Sequence, residues 1–249
     1  MRKKKLFIVL TIMITLFATS AWALKLFAGD TTASNMIDNI THSTKPDSDE
    51  KYIALTFDDG PHPQLTSSIL DTLAEFNIPA TFYMLGDNVS KHPDLAKAVA
   101  DAGHEVGNHS ASHTNMTKIE LKETKKEIEQ TNDAIIEATG KQPETIRPPY
   151  GAYNDAMLNV FQDMNMPSIL WSVDSYDWKG DAKTVKKEVL KQVHDGAIVL
   201  MHDIQSATAE ALPDLLVALK EKGYKFVTVS ELLSLETGAD VGPYYMKKS

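Results

Sequence analysis

Two adjacent carboxylates, Asp58 and Asp59, stand at the end of an apolar, β-branched run and are followed by Gly60 and Pro61. Successive residues at a strand end point to different sides, so the two need not share a role. His109 and His113 put two imidazoles one helical turn apart, close enough to bind one metal ion. An aspartate with two histidines is a three-ligand set with open positions, the pattern of a catalytic metal. A closed structural site uses four protein ligands, and the chain has no cysteine. The run Arg147, Pro148, Pro149, Tyr150, Gly151 is rigid backbone suited to placing one N–H or one guanidinium. Asp174 and the pair Asp177-Trp178 offer carboxylates beside an aromatic wall, and His202 follows the apolar run 197–201. Each piece alone has an ordinary reading. Asp-Gly is a common turn, and a single His after a buried strand is more often hydrogen-bonded in the core.

What changes the weight is where these residues fall. Strand-like runs occupy 52–58, 80–85, 104–108, 145–147, 168–174, 197–201 and 225–229, with helical patterns over 66–76, 93–102, 119–139, 154–165, 182–193, 208–222 and 229–235. Strands alternating with helices predict a parallel sheet, either doubly wound or closed into a barrel. No G-x-G-x-x-G follows a strand, so a dinucleotide-binding sheet has no support. In a parallel α/β barrel all strand carboxyl ends lie on one face, where active sites are built. Five polar segments, far apart in sequence, would then converge on one rim. The charged pattern over 119–139 reads as a solvated helix face, with Glu123 and Glu127 near Lys125 and Lys126 as ion pairs.

The chain has 249 residues and a formal charge of −9, with 25 Lys+Arg against 34 Asp+Glu. That balance argues against nucleic acid as a partner, because phosphate binding needs positive charge. The charge is uneven. Arg2, Lys3, Lys4 and Lys5 precede a nearly uncharged run over 6–23 that ends in Ala21-Trp22-Ala23. A basic start, an apolar run and a small-x-small end are the marks of export. The run approaches the ~20 residues that cross a bilayer, so residues 1–23 read as a cleaved signal or as an uncleaved membrane anchor. Either places the remainder on the extracytoplasmic side. Residues 24–50 read as a flexible linker, 51–235 as the folded domain and 236–249 as a short tail. Asn39, Asn88, Asn108 and Asn115 begin N-x-Ser/Thr sequons, and a glycan on Asn108 would block the proposed site.

Taken in order, TFDDGP (56–61), NHSASH (108–113), RPPYG (147–151), DSYDW (174–178) and LMHD (200–203) resemble the five motifs of the polysaccharide deacetylases. This is the NodB-homology family, also called carbohydrate esterase family 4. The resemblance spans 51–235 and implies an α/β fold, a distorted and incompletely closed (β/α)7-8 barrel. It implies Asp59, His109 and His113 as metal ligands, for Zn2+ first, with Co2+, Ni2+ or Mn2+ tolerated. It implies Asp58 as the general base, Arg147 as the residue that positions it, His202 as the general acid and Asp177 as the residue that orients that histidine. The Tyr150 backbone N–H would help hold the oxyanion, and Trp178 and Leu200 would line a pocket for the acetyl methyl. Asp174 matches the motif without a clear role.

The implied activity is metal-dependent removal of N-acetyl groups from N-acetylglucosamine units of an extracellular polysaccharide, by a secreted or membrane-tethered monomer. Peptidoglycan fits the exported context best, with chitooligosaccharides and O-acetylated xylan next. Two readings of other kinds compete. A non-catalytic glycan-binding barrel would not need Asp58, Asp59, His109, His113 and His202 together. A phosphoesterase usually wants a second metal and more ligands than this sequence places.

Overall fold

The computed structural model describes residues 50–235. The leader expected over 1–23, all but the end of the linker and the tail over 236–249 lie outside them. Among the described residues no helix is long and apolar enough to cross a membrane.

The elements alternate as the pattern predicts: β1 (Lys51–Asp58), α1 (Leu65–Phe76), β2 (Thr81–Met84), α2 (Gly86–Lys91), α3 (Pro93–Asp101), β3 (Glu105–Asn108), α4 (Leu121–Thr139), α5 (Asp155–Asp163), β4 (Val173–Asp174), α6 (Ala182–Gln192), β5 (Ala197–His202), α7 (Ser206–Glu221), β6 (Tyr224–Val227) and α8 (Val229–Leu235). Every ladder is parallel, in the order β3-β2-β1-β5-β4. The amino half of β1 pairs with β6 and its carboxyl half with β2, so two short neighbours share one side of the longest strand. Single bridges from Asn108 to Ile146 and from Ile146 to Ser168 bring β3 round toward the segment that carries β4. The sheet is therefore an incompletely closed barrel.

Two expected strands are reduced, for a physical reason. The run 145–147 contributes only Ile146, and 168–174 makes a ladder only at Val173–Asp174. Proline at 148 and 149 removes the next two N–H donors. The carbonyls of Ile169 and Leu170 accept from the Arg147 guanidinium instead of from a neighbouring strand. The helix α2, absent from the sequence reading, is one short turn-and-a-half between β2 and α3.

Side-chain alternation along β1 separates two interiors. Ile53, Leu55 and Phe57 join Ile69, Leu73, Leu212 and Leu216 in the large core under the helices. Ala54 faces the barrel lumen with Tyr83, Ile169 and Ile198. Thr56 and Asp58 continue that lumen face and meet the buried Arg147. The lumen narrows onto polar groups at the carboxyl end, and that end is where the candidate residues collect.

Candidate active site

Asp58 ends β1, and its register partner on β5 is His202. The two side chains thus leave neighbouring strands at the same height. Asp58 is buried, and its Oδ1 accepts from Arg147 Nη1 at 2.7 Å. Arg147 is fully buried and fully engaged. It donates to Thr56 Oγ1, Asp58 and the carbonyls of Ile169 and Leu170, and it lies over the Tyr83 ring at 4.3 Å. Buried charges are tolerated only when paired and hydrogen-bonded in this way.

Asp59 turns the other way. Its φ is 76°, in the left-handed region. Its Oδ1 lies 3.4 Å from His109 Nε2 and 3.4 Å from His113 Nε2. One donor atom from each of the three residues falls within 4.8 Å of the others. His109 Nδ1 lies 2.7 Å from the Arg147 carbonyl, which can only accept, so that nitrogen carries the proton. In the neutral ring the Nε2 lone pair then faces a carboxylate oxygen. Asp59 Oδ1 is buried and has no hydrogen-bond partner among the described residues. A cation between these atoms resolves both features, and a neutral His pair with one carboxylate is a donor set suited to a divalent metal. Burial alone would raise the Asp59 carboxyl, yet the two imidazoles hold it below its ordinary value. Burial pushes the His113 imidazole down, which favours the neutral ring a metal needs.

The two histidines are not joined by a helical turn, as their spacing suggested. The segment after β3 is a loop, with Ser110 at φ 66° and His113 at φ 60°. Asn108, on β3, anchors it: its side chain donates to the Ile128 carbonyl and to Asn132 Oδ1 and accepts from the Ser110 N–H. Asn108 is thus a buried structural residue and no glycan acceptor. Glu127 holds the loop from α4, accepting from the N–H groups of Ala111 and Ser112 and from the Ser112 hydroxyl. The expected i,i+4 pairing of this glutamate is replaced by that anchoring, while Glu123 pairs with Lys126 at 3.9 Å on the solvent side.

On the far side of Asp58, His202 Nδ1 lies 2.8 Å from Asp177 Oδ1. Asp177 Oδ2 accepts from the His202 N–H at 2.7 Å and from Thr208 Oγ1 at 2.5 Å. Burial disfavours the charged imidazole, but the hydrogen bond and charge of Asp177, helped by Asp58 and Asp59, outweigh it and raise His202 to about 9. Asp174 Oδ1 accepts from the Tyr176 N–H and so shapes the turn that delivers Asp177. Trp178 and Tyr150 are exposed on the rim, Tyr150 edge-on to His113 at 4.5 Å between centroids, and Leu200 lies buried on β5 between β1 and β4.

Seven non-glycine residues among those described have positive φ. Two are asparagines, which tolerate it. The other five, Asp59, Ser110, His113, Tyr150 and Tyr176, all lie in the loops just described. Backbone strain of this kind collects at functional sites. Sequence reasoning missed Thr208, Glu127, Asn88 and the buried Asp203. The first two sit at ordinary helix positions with no motif around them. Asp203 is the last letter of a quoted motif, and Thr66 donates to its Oδ2 at 2.5 Å.

Comparison with known proteins gives a consistent picture. Residues 45–169 match the family model described as polysaccharide deacetylase. The chain is 45% identical over 200 residues to the peptidoglycan-N-acetylglucosamine deacetylase PgdA of Listeria monocytogenes, covering 80% of this chain and 42% of that protein. It is 42% identical over 187 residues to the peptidoglycan-N-acetylmuramic acid deacetylase PdaC of Bacillus subtilis, covering 75% of this chain and 39% of that one. The chain thus spans about two fifths of the length of these curated relatives. Among solved structures, one titled T48 deacetylase with substrate superposes with a TM-score of 0.73 at 38% identity, covering 79% of this chain and 97% of that one.

Proposed function

The chain belongs to the polysaccharide deacetylase family, and on that premise we propose that it hydrolyses the N-acetyl group of N-acetylglucosamine units in peptidoglycan, releasing acetate. The observation that carries this reading is the pair Asp58 and His202, side by side in register, next to the cluster of Asp59, His109 and His113. Amide hydrolysis needs a base for the attacking water and an acid for the departing amine.

Asp58 is the base. Arg147 occupies its Oδ1 and fixes its plane, leaving Oδ2 for the proton of the water. The other face belongs to His202. Asp177 holds its Nδ1–H, so Nε2 carries the proton that the leaving nitrogen must receive. The N–H of Tyr150, set by a left-handed backbone in a proline-stiffened turn, is the donor for the developing oxyanion. Trp178 and Leu200 bound the space for the acetyl methyl. Asp59, His109 and His113 hold a divalent cation, zinc first from this donor set, with Co2+, Ni2+ or Mn2+ as substitutes. When bound, it supplies Lewis-acid polarisation of the carbonyl and a lower pKa for water.

The proposed setting is the cell wall. Residues 1–23 export the chain or tether it, residues 24–50 space it from the membrane, and 51–235 act as the catalytic domain. The names of the relatives support peptidoglycan as the substrate, and a chitooligosaccharide deacetylase of Rhizobium leguminosarum, 38% identical over 189 residues, keeps the related neutral oligomers in view. The test is acetate release from purified peptidoglycan and from N-acetylglucosamine oligomers, before and after chelation and zinc addition. Release that chelation removes and zinc restores supports the reading. No release from either substrate overturns it in favour of another acetylated glycan or a barrel that only binds.

A further inference from the structure

The turn that carries Asp59 is strained, and something must hold it. A non-glycine residue at φ 76° is strained and persists only where its surroundings over-determine it. Four contacts do so here. The Asp59 N–H donates to the Tyr83 carbonyl, and the Gly60 carbonyl accepts from the Leu85 N–H. Asp203 presses from below, so closely that a Cβ on Gly60 would fall 2.0 Å from its carboxylate. The fourth comes from α2: Asn88 Nδ2 donates to the Asp59 carbonyl at 2.8 Å.

This last bond is the one made by a side chain to the backbone of Asp59 itself. Asn88 is half-buried, and its amide nitrogen is turned toward the Asp59 carbonyl. The sequence marked it only as the start of a sequon, Asn88-Val89-Ser90.

We propose that Asn88 is a positioning residue for Asp59, holding the left-handed turn so that the carboxylate closes with His109 and His113 on one cation. The proposal rests on the reading of those three residues as metal ligands. Groups that orient a metal ligand from outside typically change metal affinity by about 10–100-fold when removed. Asn88→Ala loses the donor. Asn88→Asp keeps the shape but turns an acceptor toward the carbonyl. Ser90→Ala abolishes the sequon and leaves the bond.

The experiment uses full-length protein stripped of metal, titrated with Zn2+ against a chromophoric chelator and with Co2+ followed by its visible absorption. Thermal melting of the metal-free forms checks the fold. Both Asn88 variants should bind zinc about 10–100-fold more weakly, with an altered Co2+ spectrum, and their metal-free melting should stay near that of the wild type. Ser90→Ala should match the wild type throughout. Zinc affinity within threefold of wild type in a folded Asn88→Asp protein would overturn the proposal, as would an equal loss in Ser90→Ala. Wild-type protein that binds no zinc would overturn the metal-site reading itself, a separate outcome.

Discussion

Asp58 and His202 are register partners at the carboxyl ends of β1 and β5, and each is held from behind by a group of opposite charge. Arg147 stands behind the carboxylate and Asp177 behind the imidazole. An arginine favours the ionised carboxylate, and a carboxylate favours the protonated imidazole. Parallel pairing therefore sets the two groups next to each other, the carboxylate hydrogen-bonded to a guanidinium and the imidazole raised toward its protonated form by a carboxylate. That is the division of labour an amide hydrolase needs at one pH.

The pH dependence follows from His202. Its folded pKa is raised to about 9, so the ring is protonated below that value and loses its proton above it. Turnover should fall as pH rises through about 9. Asp177→Asn removes the charge that outweighs burial, so its basic limb should move to lower pH and its rate should drop by about 10²–10⁴. The check is kcat against pH for both proteins. An unmoved basic limb in the variant would show that another group sets it.

Asp58 and Asp59 should part company under the same substitution. Asp58→Asn leaves the three-donor cluster intact, so zinc affinity should persist while acetate release is lost. Arg147 loses its counter-charge but keeps Thr56 and two carbonyls as acceptors, so the variant should fold with a loss of about 3–5 kcal/mol in denaturant unfolding. Asp59→Asn should instead lose zinc binding. Metal titration and acetate assay on the pair would separate the roles, and equal zinc loss in both variants would contradict the assignment.

Thr208 should matter although nothing in the sequence singles it out. Its hydroxyl is buried and donates to the oxygen of Asp177 that does not reach the imidazole Nδ1. Thr208→Val removes the donor at constant shape and leaves a buried carboxylate oxygen short of one bond, a loss of about 1–3 kcal/mol. Thr208→Ser restores the hydroxyl. Activity and unfolding midpoint should both fall in the valine variant and recover in the serine one. A valine variant with the wild-type pH profile and stability would remove Thr208 from the network.

Comparing these residues shows what a sequence can disclose. Strand periodicity located the ends where Asp58, His109, Arg147, Asp174 and His202 sit, because chemistry at a barrel rim is tied to strand termini. The fold class follows from the same alternation. What stayed hidden are groups whose role depends on three-dimensional contact. Glu127 looks like one charge among many on a solvated helix, yet it anchors the loop of His113 from α4. Thr208 and Asn88 carry no local signature either. The helical spacing of the two histidines misled for a related reason: left-handed residues at 110 and 113 fold the loop back, and only tertiary contacts select that backbone. The shortened strands expected over 145–147 and 168–174 trace to Arg147, whose need for acceptors draws on carbonyls that a regular sheet would have paired.

His104 predicts how the fold answers to acid. It precedes β3, is buried, stacks obliquely on Phe82 at 5.4 Å and accepts from the Ala80 N–H at 3.2 Å through Nδ1. That bond needs an unprotonated nitrogen, and burial pushes the imidazole down to about 4 from 6.5. The unfolded chain takes up this proton once pH drops below about 6.5, while the folded chain refuses it until about 4. The neutral ring's contribution is thus whole above that window, declines as pH falls through it at up to about 1.4 kcal/mol per unit, and is gone below it. His104→Gln keeps an acceptor for Ala80 and removes the titration. Urea unfolding at pH 7 and pH 5 should show the wild type losing more stability on acidification than the variant. Equal losses in the two would mean that His104 is hydrated in the fold and titrates normally, which its place beneath Phe82 argues against.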